Sequence, residues 1–422
     1  MNYRSFFLFF ALAIPIAGRA EIIVIKDGKP ACAIVVDARH ATGEGPATLA
    51  DAAKWLADSL GGGFPDSASQ SMVIARADAF PDIAKRVNLA PKAGYDAYAI
   101  ITEADRVLLL GNSEAAARHA VADLLRRWGF RQFAPSPRWR ITPKLDQLAV
   151  DFTAVEKPAL IDRRIWYAYG MGDDTKPLMD DYQRWVHANR LSLRSPINNG
   201  HSYGNIIQRN AEAFAKNPEL SALLPDGTRD TTRSPNARKF CFSNPDLIDL
   251  VVEDRKKLLE ELRKVNPASF MVSVDPSDGE GTCHCDRCVA LGTTSDRVFH
   301  LANEVARRLR ASDPAAWVGL YAYSSHRLPP TISIEPNVYV QVAMGFNRTE
   351  FSLPELVDRW SKKVGAIGLR EYYGVEAWDW GLPGRARGTR VGYHEKWIPF
   401  FAERKLNAIN AETNSNWGAQ TL

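Results

Sequence analysis

Ser269-Phe-Met-Val-Ser-Val274 is a short apolar run, and it empties into Asp275-Pro-Ser-Asp278-Gly-Glu280. A buried strand that ends in a loop of carboxylates, turn formers and glycine, followed by the helical pattern Arg297–Arg310, reads as one β/α unit of a parallel sheet. The unit recurs on both sides. Strand-like runs lie at Leu160–Trp166, Leu191–Arg194, Lys239–Phe242, Val318–Tyr323, Val338–Ala343, Ala366–Leu369 and Ala408–Ala411. Helical patterns lie between most of them, at Met179–Asn189, Leu247–Val265, Leu353–Val364 and Tyr393–Arg404. Eight strands alternating with helices over residues 158–422 predict an α/β fold of the (β/α)8 TIM-barrel type, usually about 250 residues long. The rival, an open doubly wound sheet, asks for a glycine-rich phosphate turn after its first strand. Here that strand runs into Tyr167-Ala-Tyr-Gly-Met-Gly172, too aromatic for a pyrophosphate to approach. The chain stops about eleven residues after the last strand-like run, with no helix to close the barrel, which points to a truncated sequence.

Upstream, residues 21–151 predict a small α/β sandwich domain. Glu21–Ile25 and Ala31–Val36 flank an Asp27-Gly28 turn, a hairpin signal. A helix from Leu49 to Leu60 stops at Gly61-Gly-Gly63, and short strands follow at Met72–Ile74, Ala97–Thr102 and Val107–Leu110. The next helix is capped by Ser113, shows Ala117, Val121, Leu124 and Leu125 on one face, and ends before Gly129. A last strand is expected near Arg131–Ala134, with the helices on one face of the sheet. Residues 1–20 carry Arg4, an apolar run from Phe6 to Ala17, and the small-x-small site Gly18-Arg19-Ala20. This reads as a signal peptide, and so as a periplasmic or secreted protein. The apolar run is shorter than the roughly 18 residues of a membrane span, and no later stretch is apolar enough to be one.

Charge excludes little except nucleic acid. The chain has 53 basic and 49 acidic side chains, a formal net charge of +4 that losing Arg4 and Arg19 lowers by two. That balance gives no basic footprint for a polyanion. Three of five cysteines sit in Cys283-His-Cys-Asp-Arg-Cys288. With Cys241 they read as two disulfides, which an oxidising compartment favours, or as a structural zinc site with Cys241 or His284 completing the set. Either way they pin a long loop. No cofactor for catalysis is expected, since the chain has no H-E-x-x-H, nucleophile elbow or P-loop.

In a barrel the reacting groups sit where the strands end. Those positions are rich in aromatics, carboxylates and amides. Eight of the eleven tryptophans lie beyond residue 160. Sugar rings stack on aromatic faces, and their hydroxyls need amide and carboxylate partners. Two carboxyl groups cut a glycosidic bond, one as acid and one as base or nucleophile. The expected catalytic residues are Asp275, Glu371 and Glu412: Asp275 or Glu371 as acid, Glu412 or Glu371 as base or nucleophile. Substrate contacts are expected from Trp166, His201, Tyr203, Asp278, Tyr323, Arg348, Tyr373, Trp378, Trp380 and Trp417. Arg348 and Arg370 could hold a uronate carboxylate as a bidentate fork.

The run LGNSEAAARHAVADLLRRWGFRQFAP at 110–135 resembles the end of the small α/β domain that precedes the barrel in α-glucuronidases and family 20 β-hexosaminidases. Gly200-His-Ser-Tyr203, Asn217-Pro-Glu219, Phe240-Cys-Phe-Ser-Asn-Pro245 and Asp275 through Cys288 resemble the bacterial family catalogued as domain of unknown function 4838, over most of residues 158–422. The resemblance implies a glycosidase-like barrel. Family 20 enzymes carry an adjacent Asp-Glu pair after strand four and use the substrate's acetamido group as nucleophile. Here Pro276 follows Asp275, so that dyad is absent. α-Glucuronidases draw carboxylates from several strand ends, which Asp275, Glu371 and Glu412 imitate.

The sequence thus predicts an exported glycoside hydrolase acting on a polysaccharide that bears uronic acid or amino sugar. Two alternatives stay open. One is a non-catalytic glycan-binding protein on the same scaffold, the other a polysaccharide lyase with Tyr373 or His201 as base.

Overall fold

The computed structural model describes residues 21–89, 96–167, 179–192, 195–343, 349–374, 390–404 and 406–413. The expected signal segment 1–20 lies outside them. The chain divides into two compact units. The first takes its described residues from Met1–Ala90, Ala97–Gly129 and Thr142–Glu156, the second from Pro91–Asp96, Phe130–Ile141 and Lys157–Leu422.

In the first unit, β1 (Ile22–Lys26) turns at Asp27 and Gly28, whose φ angles of 52° and 70° suit a tight hairpin turn. It pairs antiparallel with β2 (Lys29–Pro30). The expected hairpin goes no further, because Pro30 has no N–H to extend the ladder. The run beyond it, β3 (Ala33–Asp37), instead lies parallel to β4 (Ser71–Arg76) in a five-stranded sheet. That sheet is completed by β5 (Tyr98–Thr102), β6 (Arg106–Gly111) and β10 (Thr153–Glu156), in the order β10-β5-β6-β4-β3. The other edge of β1 takes β9 (Gln147–Val150). Helices α1 (Gly45–Ser59) and α3 (Glu114–Arg127) pack on each other and on one face of the larger sheet. The short α2 (Pro81–Arg86) packs its Ile83 and Ala84 with Val73, Ala75, Leu108 and Leu110 on the opposite face. Helices were expected on one face only. Cover on both explains why β4 and β6 are apolar at nearly every position.

The second unit opens with a small antiparallel pair, β7 (Arg131–Gln132) and β8 (Arg140–Ile141). Its centre is a parallel six-stranded sheet. The strands are β11 (Asp162–Tyr167), β12 (Met271–Ser273), β13 (Trp317–Ala322), β14 (Val338–Ala343), β15 (Ala366–Gly374) and β16 (Leu406–Thr413). Their spatial order is β11-β16-β15-β14-β13-β12. Successive strands are neighbours and the first lies beside the last, as in a barrel wall that curls through part of its circle.

The described strands form this half-barrel, not a full (β/α)8 barrel. The expected strand Lys239–Phe242 makes a single antiparallel bridge, Phe240 with Ser221. The side chains of Phe240, Cys241 and Phe242 are committed to an apolar cluster instead, where Phe240 stacks on Tyr203 with ring centroids 3.8 Å apart. Leu191 and Ser192 are not in a strand, and the rest of that expected run lies outside the described residues. Residues 195–202 form no strand. The Ser192 N–H donates to the Arg163 carbonyl of β11 at 2.8 Å. His201 forms a parallel bridge with Asp275, just past β12.

Alternation decides what faces inward. Val318, Leu320, Val338, Val340, Val342, Ile367 and Leu369 point out into the main core. There they meet α7 (Pro245–Val265), α9 (Thr294–Ser312) and α10 (Leu353–Ser361). The sequence fixes where these helices start: Asn244 caps α7, and Thr293–Asp296 and Ser352–Glu355 form capping boxes. Helices α4 (Met179–Ala188) and α11 (Val391–Ala402) precede and follow in the same unit. Short helices α5 (Tyr203–Arg209), α6 (Ala211–Lys216) and α8 (Asp286–Ala290) sit in the loops. On the inner face, Met271, Tyr339, Ala366 and Ala408 close the bottom with Ile161 and Ile197. Gly368 belongs to that face too. A Cβ there would lie 1.8 Å from the Tyr339 hydroxyl, so only glycine lets the phenol ring pass. No described helix is long and apolar enough to cross a membrane.

Candidate active site

Above that apolar floor the inner face turns polar. Arg164 of β11, Tyr321 of β13, Arg370 and Tyr372 of β15, and Asn410 and Glu412 of β16 line a cavity of about 930 Å³. Asn198, Asn199, His201, Asp278 and Tyr323 supply its rim from the loops. Tyr321, Tyr372 and Glu412 lie near the C-terminal ends of their strands, where a parallel sheet places its chemistry, and Arg164, Arg370 and Asn410 lie nearer mid-strand.

Glu412 is the carboxylate on the strand wall, with 15% of its side chain exposed. The Arg370 guanidinium pairs with it through Nη2 and donates from Nη1 to Asn410 Oδ1 at 3.1 Å. The Arg370 guanidinium also sits 5.7 Å from the ring centroids of both Tyr321 and Tyr372. Across the inner face, Arg164 donates to buried Asp162 at 2.9 Å. Burial pushes the Asp162 carboxyl above its ordinary range, against the pull of Arg164.

Asp278 is the second carboxylate at the cavity. It accepts from the Tyr323 hydroxyl at 3.2 Å and lies 3.7 Å from His201 Nε2. Burial and the charge of Asp278 push the Tyr323 hydroxyl up to about 12. His201 Nδ1 faces two acceptors, the Pro276 carbonyl at 2.6 Å and Asp275 Oδ2 at 2.9 Å, so that nitrogen carries the proton. Burial lowers the His201 pKa, but the hydrogen bond and charge of Asp275 outweigh it and the net shift is upward.

Asp275 itself is fully buried. Its Oδ1 accepts the Tyr321 N–H at 2.7 Å and lies 3.5 Å from His326 Nε2. Burial works to raise its pKa; the two histidines hold it below the ordinary carboxylate value. It faces His201 rather than the cavity.

Several expected site residues fall elsewhere. Glu371 shares the outward parity of Ile367 and Leu369. It is buried and accepts from the Tyr393 hydroxyl of α11 at 2.7 Å. Tyr373 also faces α11, its ring 5.4 Å from that of His394. Tyr203 is wholly buried in the core against Phe240. Arg348, Trp378, Trp380 and Trp417 lie outside the described residues, as does the side chain of Trp166. Glu412, His201, Asp278 and Tyr323 do meet at the cavity. Arg164, Tyr321, Tyr372 and Asn410 line the cavity without being among the expected catalytic or substrate-contact residues. A strict count of alternate residues from the apolar outward positions finds Tyr321 and Tyr372.

The cysteines do not pair. All five are free thiols, and Cys241, Cys283, Cys285 and Cys288 bring their sulfurs within 4.8 Å of one another. Four convergent thiols could bind a metal, which is compatible with the structural-zinc alternative of the two expected from sequence.

A family model described as "Domain of unknown function (DUF4838)" matches residues 134–374, more than half of the chain. The chain belongs to the DUF4838 family. No curated protein matches this DUF4838 sequence. Among solved structures it is similar to a family GH115 4-O-methyl-α-glucuronidase with specificity for decorated arabinogalactans, with 9% identity and a TM-score of 0.55. The similarity covers 94% of this chain and 56% of that one, so the DUF4838 chain spans little more than half the enzyme's length. It is also similar to a GH20 exo-β-N-acetylglucosaminidase from Vibrio harveyi, at 10% identity and TM-score 0.47, covering 95% and 68% of the two chains. A β-hexosaminidase from Streptomyces plicatus gives 13% identity and TM-score 0.43, covering 96% and 86%. At 9% identity the likeness to the GH115 enzyme is one of fold alone, a glycoside-hydrolase-like fold.

Proposed function

We propose that this DUF4838 protein is an exported glycoside hydrolase acting on a glycan that bears an acidic sugar. The observation that carries the reading is the cavity at the C-terminal edge of the parallel sheet, with Glu412 and Asp278 both lining it among tyrosines and amides. Two carboxyl groups around one sugar-sized hollow are what acid and base attack on a glycosidic bond requires. Arg164 and Arg370, also on the wall, favour a substrate with its own negative charge.

The partners divide the labour. Glu412, paired with the Arg370 guanidinium, acts as base or nucleophile. The proton for the leaving oxygen comes from the Asp278–His201 pair. Buried Asp275 keeps the imidazole in place and favours its charged form, so it is a positioning residue rather than the acid. Tyr321, Tyr323 and Tyr372 offer ring faces to the sugar. The thiol cluster lines no part of the cavity, so a metal held there is structural. Export rests on the segment at 1–20.

A panel of neutral, amino-sugar and uronate-bearing glycans, read for new reducing ends and for the ultraviolet absorbance of an unsaturated uronate, tests the reading. Release of reducing ends that Glu412→Gln and Asp278→Asn each abolish supports it. Absorbing products mean a lyase. Binding without turnover means a glycan-binding protein. Hydrolysis untouched by both variants overturns the assignment of the carboxylates.

A further inference from the structure

We infer that Cys241, Cys283, Cys285 and Cys288 bind one zinc ion as four thiolates, and that this ion anchors the loop carrying Asp278. A disulfide needs sulfurs about 2.0 Å apart. Here Cys241 Sγ lies 3.7 Å from Cys285 Sγ and 3.9 Å from Cys288 Sγ. Zinc–sulfur bonds of about 2.3 Å at tetrahedral angles put ligand sulfurs about 3.8 Å apart. Those two edges match a metal tetrahedron, all four sulfurs lie within 4.8 Å of one another, and four soft ligands select zinc over magnesium or calcium.

The surroundings suit a closed, negatively charged centre. Cys241, Cys283 and Cys288 are buried. The Leu223 N–H points at Cys283 Sγ at 3.2 Å and the Ser243 N–H at Cys288 Sγ at 3.4 Å. Such donors offset the charge that four thiolates leave on a divalent ion and orient the ligands. Arg297 brings a cation close, donating to the Cys283 carbonyl at 2.9 Å. Metal binding also shields the thiols from oxidation, so an exported chain can keep them reduced.

The link to the cavity runs along the backbone. Cys283 lies five residues after Asp278, and Cys241 two residues after Lys239. The Lys239 ammonium donates to the carbonyls of Asp278 at 3.0 Å and Gly279 at 2.9 Å, and to that of Ser277. Gly279 and Gly281 adopt φ angles of 78° and 117°, and no regular element holds the loop between them. One ion thus ties the loop's exit, through Cys283, to the segment whose lysine grips its middle. Only the catalytic importance of the anchored loop rests on the hydrolytic reading.

The test uses the full-length chain purified without added metal. Elemental analysis is expected to give one zinc per chain, released in step with mercurial titration of four thiols. Cobalt(II) in its place is expected to show the spectrum of a tetrahedral thiolate site. Cys32→Ser, at a buried thiol of the other unit, leaves the zinc content at one; Cys285→Ser lowers it. Zinc removal is expected to open the chain to limited proteolysis between Asp278 and Thr282. A chain without zinc that takes up no cobalt, or whose mass lacks the hydrogens of two disulfides, overturns the metal site, and iron in place of zinc overturns the choice of ion. Zinc release that leaves Asp278–Thr282 resistant overturns the anchoring role. Because metal content and proteolysis need no substrate, these outcomes are separate from any failure of the glycosidase reading.

Discussion

Arg370 and Glu371 are neighbours in the chain and serve opposite sides of one strand. The Arg370 guanidinium pairs with Glu412 over the cavity, while Glu371 accepts the Tyr393 hydroxyl in the helical layer outside. The two glutamates therefore differ in what their loss does. Glu412→Gln is expected to lower turnover about 10²–10⁴-fold, the usual weight of a positioned acid or base, with little change in the urea midpoint. Glu371→Gln is expected to keep turnover and to lose about 1 kcal/mol of stability through a weakened hydrogen bond. Kinetics and urea titration of the two variants check this, and the reverse pattern would exchange their roles.

Arg370 also bears on the choice of substrate. It spans Asn410 and Glu412 with two different nitrogens, a planar fork that lysine cannot reproduce. Arg370→Lys is expected to reduce kcat/KM at least about tenfold, a loss of roughly 1.4 kcal/mol in transition-state binding. Acidic glycans should suffer more than neutral ones. Equal losses on both would remove the arginine from the account of specificity.

The Asp275–His201 pair sets a pH dependence with a definite sign. The folded His201 pKa lies above its unfolded value. Its contribution to stability is then complete below about pH 6.5 and is lost as pH rises through the folded value. Asp275 shifts downward. Its contribution is complete above about pH 3.9 and is lost as pH falls through its folded value. Melting temperature is expected to decline above about pH 6.5 in the native protein, and this decline should shrink in Asp275→Asn. Proton NMR of the His201 ring should show its titration midpoint falling in that variant. A midpoint that stays where it was would mean Asp275 does not govern His201.

Gly368→Ala tests the floor of the cavity. The new methyl would collide with the Tyr339 hydroxyl, and overpacking of a tight interior costs about 1–3 kcal/mol. Tyr339→Phe removes the colliding oxygen, so the double variant is expected to recover part of the loss in urea unfolding. No recovery would place the strain elsewhere.

Much of this arrangement can be read from residue order. Six strands of the parallel sheet and the helices around them follow from apolar runs and caps, because those patterns report local burial. Glu412 at the end of β16 and His201 and Asp278 in the loops follow from the rule that strand ends carry chemistry. Glu371 and Tyr373 do not obey it, since a strand end has two faces and only the alternation begun at Ile367 and Leu369 tells them apart. Tyr203 is hidden by a contact with Phe240 across 37 residues of chain, and no local pattern announces such a stack. Lys239–Phe242 is apolar enough for a strand, yet its partners are Ser221 and a cysteine cluster. Pairing of that kind is a property of the assembled loops.

The described residues 195–202 give the sheet an unusual seam. They reach Asp275 through His201 and Ser202 by a single bridge, where the described strands of this wall are fastened by ladders. Asn199 is stitched to Leu320 and Gln341 by its side-chain amide alone, at 3.2 and 3.3 Å. Amide protons along the seam should exchange with solvent sooner than those of β13 or β14. On the hydrolytic reading proposed above, this side of the hollow can change width through loop residues while the laddered strands opposite keep their register.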